Sequence, residues 1–214
     1  MQQEHGKGGS IGGTIEVSGS GRVEVAPDEA VVQLSTITEA KTAGEAVAAS
    51  AAATQAVVDA VSAEPNHGVT TSGLGLAPIT HYDPQTQVTT IVGYRATNGV
   101  SVRTKIGYAG QVFDAGIRAG ANQSSGIDFR LQNDAPYREE ALRLAVEDAL
   151  VQARIVAKAA GVEVLGPETI AIDSGGGRLY LRAAALDAGS PRTPVLPGDL
   201  TISAGVRMVL RTRG

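Results

Sequence analysis

Between Val88 and Ile106 most apolar and polar residues fall on alternate positions. Val88, Val92, Tyr94, Ala96, Val100, Val102 and Ile106 share one parity, and Thr89, Arg95, Thr97, Ser101, Arg103 and Lys105 share the other. A period of two over such a span predicts a half-buried β-strand far longer than usual. Asn98-Gly99, in the middle, has the composition of a two-residue hairpin turn. A turn there would set Thr97 opposite Val100 and Tyr94 opposite Arg103, mixing the two faces. One strand, bent at Gly93 and Gly99, keeps the apolar residues together and puts Tyr94 and Asn98 on the core side. About eighteen residues at about 3.3 Å each reach about 60 Å. That exceeds the width of a compact domain of this length, so the hairpin must bend round its domain or project from it.

A chain of 214 residues is long enough to bury a sizeable core without cross-links. Its residues are 43% hydrophobic but only 3% aromatic, so the core must be built from Ala, Val, Leu and Ile. The net charge of −4 gives no electrostatic reason to expect nucleic acid. Arg207, Arg211 and Arg213 gather near the C-terminus and read as a solvated strand end. The absence of cysteine excludes disulfides, thiolate metal sites and thiol catalysis. No apolar run is long enough for a transmembrane helix. Residues 1–13 are polar and Gly-rich, lack the apolar core of a signal peptide, and read as a disordered tail.

Other elements follow from periodicity and punctuation. A strand is predicted from Thr14 to Val25, with Gly19 and Gly21 implying a bulge or bend. After a turn at Pro27-Asp28 comes a strand through Val32, Leu34 and Thr36. Thr42 with Glu45 forms a capping-box pattern for a helix whose inner stripe reads as Ala46, Ala49, Ala53, Ala56 and Ala60, widened by Val57 and Val61. Such a stripe lets a helix lie close on a sheet; a helix–helix seam is its rival use. A strand from Val69 to Ile79 leads to a hairpin tip at His81–Gln85 and then to the long strand. A short helix over Ala109–Ala119 stops at Gly120. Ile127, Phe129 and Leu131 mark another strand. Asp134 and Pro136 open the longest helix, which carries Ala141, Ala145, Ala149, Ala153 and Ala157 on one face and stops at Gly161. Glu139 and Arg143 form an i,i+4 pair on its outer side. Ile170 and Ile172 mark a strand, and Leu200 to Leu210 alternates as the last one.

Hairpins joined by single helices imply an α+β fold: a mainly antiparallel sheet with long β-hairpins and about three helices packed on one face. The expected organisation is a tail over residues 1–13 and one domain over 14–212, interrupted by a flexible Gly-, Ala- and Pro-rich loop over 174–198.

Ile15–Gly21 leading to Val25–Asp28, then Gly93-Tyr94-Arg95-Ala96-Thr97-Asn98, Val112–Ala115, Gly120-Ala121-Asn122, the helix from Glu140 to Gly161, and Pro197–Leu200 stand in an order and spacing that resemble the SIMPL-domain family. These YggE-like proteins are mostly bacterial envelope proteins, and the resemblance covers nearly the whole chain. It implies a periplasmic or extracellular location, although the export signal usual in members is not apparent in this sequence and the cytoplasm stays open. It also implies ring- or channel-like homo-oligomers for some members, oxidative-stress tolerance for others, and a protein partner for a eukaryotic relative. The family carries no catalytic residue set.

Residue chemistry points the same way. His5, His67 and His81 lack metal-ligand spacing, so no metal site is expected. There is no nucleophile-elbow pattern. Ser174–Arg178 lacks the Lys-Ser/Thr ending of a phosphate loop and reads as a linker. Asp28 is placed to accept backbone N–H groups at its turn, and Asn122 to stabilise the turn after Gly120. Gly93, Tyr94, Asn98, Gly120 and Asn122 are therefore structural candidates, with Asn98 pinning strand register. The expected function is a non-enzymatic, self-assembling envelope protein without a cofactor. The alternative is a binding module that takes a protein or small ligand through Leu179, Tyr180, Leu181 and Leu186. An enzyme of unrecognised type would need a pocket with perturbed ionisable groups.

Overall fold

The computed structural model describes residues 12–173 and 193–214. In chain order the elements are β1 (Gly13–Val25), β2 (Glu29–Ala40), α1 (Ala43–Ser62), β3 (Gly68–Asp83), β4 (Val88–Thr104), α2 (Ile106–Arg118), β5 (Gln123–Arg130), α3 (Ala135–Ala160), β6 (Glu163–Asp173) and β7 (Leu200–Arg213). The fold is α+β, as the alternation of hairpins and helices predicts. Its strands form two antiparallel sheets rather than one, ordered β1-β7-β6 and β3-β4-β2-β5. The chain divides accordingly into two compact units.

The first unit comprises the described residues of Met1–Val25, Asn133–Leu181 and Asp199–Gly214. Helix α3 lies on its three-stranded sheet through Ala141, Ala145, Ala149, Ala153 and Ala157, all buried as the spacing predicts. Val17, Val206, Met208 and Leu210 meet this stripe from the strands. Gly19 and Gly21 do not make a bulge: the β1–β7 register runs without a shift from Gly13 to Val25. Their function is proximity. A Cβ on Gly19 would collide with the Ala145 carbonyl and come within 2.6 Å of the Ala149 nitrogen; one on Gly21 would collide with the Ala141 carbonyl. The N–H of Ser20, between the two glycines, donates to the Asp148 carboxylate at 2.9 Å, so the helix also satisfies an edge-strand donor. On the outer side of α3, Arg143 pairs with Glu140 and Glu147 instead of Glu139, because its two-pronged guanidinium reaches one carboxylate a turn behind and another a turn ahead.

The second unit comprises the described residues of Ala26–Gln132 and Arg182–Gly198. Its core joins Val32 and Leu34 of β2, Val100 and Val102 of β4, Val57 and Val61 of α1, and Val112 of α2. Thr42 and Glu45 form both bonds of the capping box at the start of α1. Of the expected α1 stripe Ala46, Val57 and Val61 are buried, but Ser50 and Thr54 complete it in place of Ala49, Ala53, Ala56 and Ala60. The Thr54 hydroxyl donates to the Ser50 carbonyl at 2.7 Å and lies 2.7 Å from the Thr36 hydroxyl of β2, so small polar residues face the sheet where alanines were expected. Helix α2 starts at Ile106, earlier than its periodicity indicates, and ends in a Schellman motif. Gly120 adopts φ +114° there, with its N–H on the Ile117 carbonyl and the Ala121 N–H on the Gly116 carbonyl.

β4 is one continuous strand through Asn98-Gly99, as the phase argument requires. Register shifts lie beside both proposed bends, with Ser72 of β3 extra opposite Gly99 and Val92 of β4 extra beside Gly93. The Val92 irregularity corrects the single-face reading. It reverses the alternation beyond Gly93, so Val88 falls on the opposite face from Tyr94.

Candidate functional site

The β3–β4 hairpin outgrows its unit. Its inner part lies under α1, where Ala96, Val100 and Val102 are buried. Outward from there, the register carries Leu74, Leu76, Tyr82 and Ile91 on the face that continues the core face. These four are exposed, Leu74 to 79% and Ile91 to 57%. Val88 and Val92 are exposed as well. The tip is held by Asp83, whose carboxylate accepts from the Gln85 N–H and the Thr86 hydroxyl, each at 2.9 Å. Those bonds hold its pKa below the ordinary 3.8. β3 is also an edge strand, so its outer backbone groups have no neighbouring strand among the described residues. The arm thus offers an apolar face and an open edge together.

A charged cluster lies in the same unit. Glu29 is only 2% exposed. Its carboxylate accepts from Arg130 Nε at 2.6 Å and lies 3.2 Å from His67 Nδ1. Burial pushes the Glu29 pKa up, but the bonds from Arg130 and His67 and the charges of Arg130 and Arg103 together outweigh it, leaving the pKa below the ordinary 4.5. Arg103 donates through Nη2 to the His67 carbonyl at 3.2 Å. These groups line an open cleft of about 460 Å³ with Leu131 and Gln132. Every polar atom of the Glu29 carboxylate is engaged, which suits a structural clamp tying β2 to β5 and to the start of β3. Sequence reasoning missed it because residues 29, 67, 103 and 130 share no motif; only the antiparallel register that pairs Glu29 with Arg130 brings them together. Among the described residues no group of three or more His, Asp and Glu is arranged to hold a metal ion.

A family model described as SIMPL, protein of unknown function (DUF541), matches residues 15–210. The chain belongs to the SIMPL family. The 26 kDa periplasmic immunogenic proteins of Brucella melitensis biotype 1 and Brucella abortus strain S19 are each 35% identical to it over 156 residues. The alignments cover 69% of this chain and 62% of each relative, so the chain spans less than two thirds of their length. The SIMPL match begins in β1 and ends in β7, taking in both the arm and the Glu29 cluster.

Within this SIMPL chain the residues singled out from sequence fall in different places. An ideal Cβ on Gly93 would lie 2.9 Å from the Ala40 carbonyl, so glycine there admits the end of β2. Tyr94 is half-buried between Ala40 and Pro78 in the ladder. Asn98 is half-buried in the row Thr36–Asn98–Leu74. Asn122 binds a strand instead of its own turn: Oδ1 accepts from the Ile37 N–H at 2.7 Å, and Nδ2 donates to the Ile37 carbonyl at 2.8 Å. Asp28 does accept a backbone N–H, that of Gln132 at 2.8 Å. Leu179, Tyr180, Leu181 and Leu186 lie outside the described residues. Of the long loop, residues 193–198 form neither helix nor strand; Thr193 is held to α2 through Asp114, with hydroxyl to Oδ1 at 2.7 Å, and Val195 packs on the core. No described helix is long and apolar enough to cross a membrane.

Proposed function

We propose that this chain is a non-enzymatic envelope protein that assembles with copies of itself through the β3–β4 arm. The observation that carries the reading is the uncovered continuation of the core face along the arm, at Leu74, Leu76, Tyr82 and Ile91. An apolar face beside an open strand edge is stabilised when another chain covers it. A second copy brings the same two features, so one contact can cover both. The periplasmic location named for the Brucella relatives supports placing the assembly in the envelope. The closed hydrogen bonding of Glu29, the buried carboxylate of the charged cleft, supports a structural role over catalysis there. A ring- or channel-like form and a link to oxidant tolerance complete the proposal, on the family resemblance.

Solution mass across micromolar concentrations tests self-assembly. A multiple of the chain mass is expected, falling in a Leu74→Ser/Ile91→Ser double variant that keeps its circular dichroism. A wild-type chain that remains strictly monomeric overturns the reading. Peroxide survival of a deletion strain, with and without the double variant, tests whether assembly and tolerance are linked.

A further inference from the structure

Beside the inner end of the arm, α1 and β3 leave a cavity of about 270 Å³ over β4. Val47 and Ala51 of α1 and Leu74 and Leu76 of β3 make its walls, with Ser50 and Asn98 among the lining residues. None of the lining residues is ionisable. Among the described residues only two buried side-chain polar atoms lack a hydrogen-bond partner, Ser50 Oγ and Asn98 Oδ1. Both residues belong to this one lining. Their neighbours are satisfied: Thr54 bonds the Ser50 carbonyl, and Thr38 bonds the Ala46 carbonyl at 2.9 Å. Native structures rarely leave such atoms unpaired, and two together in one apolar cavity call for a shared partner.

We propose that this cavity is a binding site for a neutral, mostly apolar small molecule bearing one N–H or O–H donor. The volume sets the size. An apolar cavity of about 150 Å³ accommodates benzene, so this one takes a molecule of one or two rings. The lining sets the charge: an ionic ligand would lose its hydration and gain no counter-charge. The unpaired atoms set the polar group. Asn98 Oδ1 accepts only, so the ligand donates; the Ser50 hydroxyl can accept or donate in turn. Both atoms are closed off from solvent, so the ligand engages them by turning these two side chains into the cavity. The site differs from the self-association surface in needing Ser50, Asn98 and Ala51, although Leu74 and Leu76 border both.

Titration of the full chain by NMR, at two protein concentrations and with solution mass recorded at each point, tests the site. The probes are indole, its donor-free counterpart indene, and indole-3-carboxylate. Indole is expected to shift the Ala51 and Asn98 amides saturably. Indene should bind at least tenfold more weakly, and the carboxylate should not bind. Ala51 is exposed on α1, so Ala51→Phe should fill the cavity and abolish the indole shifts while circular dichroism stays unchanged. Asn98→Leu should weaken indole tenfold and leave indene unaffected. The proposal is overturned by equal affinity for indole and indene, by indole shifts that survive Ala51→Phe, or by cavity shifts that follow protein concentration and ignore indole. The last result would give the cavity to a side chain of another copy. Self-association itself fails or stands on the mass alone.

Discussion

The carboxamide of Asn122 pairs with the backbone of Ile37 as another peptide group would, accepting its N–H at 2.7 Å and donating to its carbonyl at 2.8 Å. Ile37 belongs to β2, and Asn122 precedes β5 by one residue, so the side chain extends the β2–β5 ladder beyond the last backbone pair, Ser35–Gln123. Two hydrogen bonds at an exposed position contribute about 1–2 kcal/mol together. Asn122→Ala should lower the urea unfolding free energy by that amount. Asn122→Asp should be no better, because it loses the donor and sets a negative charge against the Ile37 carbonyl.

Glu29 makes stability depend on pH in a defined direction. Its folded pKa lies below the ordinary 4.5, so the folded state favours the ionised form. The resulting stabilisation is fully present above pH 4.5, and it is lost as pH falls through the lower folded value. Denaturation curves between pH 7 and pH 3 should show this loss in the wild type and a smaller loss in Glu29→Gln. At pH 7, Arg130→Ala should cost about 2 kcal/mol, below the range for a fully buried pair because Arg130 is 44% exposed.

Gly21→Ala should be among the most damaging single changes in the first unit. Its new methyl group would meet the Ala141 carbonyl and, at 2.7 Å, the Ala145 nitrogen. Backbone atoms cannot turn aside, so α3 must lift from the sheet, at a cost of roughly 3 kcal/mol or more. Ala145→Gly in the same chain should not rescue it, since the colliding atoms are backbone. Thermal unfolding of the single and double variants distinguishes this from ordinary side-chain crowding.

The Thr36–Thr54 contact should respond asymmetrically. Thr54 gives its proton to the Ser50 carbonyl, so Thr36 donates to Thr54. Thr54→Val removes the acceptor and leaves a buried hydroxyl whose only other acceptor is the Asn98 carbonyl at 3.5 Å. It should cost about 1–2 kcal/mol, whereas Thr36→Val should cost less than about 1 kcal/mol. A double-mutant cycle read by chemical denaturation gives the coupling.

These residues also show where reading the chain succeeds. Parity placed Ala96, Val100 and Val102 on the core face, and helical spacing found the buried alanines of α3, because each pattern reports which side of a single element meets water. The α1 stripe was misread because Ser50 and Thr54 count as polar in any periodicity, yet both are buried. The hydroxyl of Thr54 is made acceptable by Thr36, eighteen residues away. Gly19 and Gly21 were legible as special positions, but a bulge and a closely approaching helix demand the same residue.

Local sequence therefore decided the order of elements, the capping box of α1, the glycine stops of α2 and α3, and the unbroken course of β4, since neighbours along the chain set backbone preference and amphipathic phase. Tertiary structure alone decided the division into two sheets, the meeting of Glu29 with His67 and Arg130, the grip of Asn122 on Ile37, and the exposure of the arm. Those depend on register between strands far apart in the chain. One unpaired residue, Val92, is enough to turn every outward side chain of β4 to the other face.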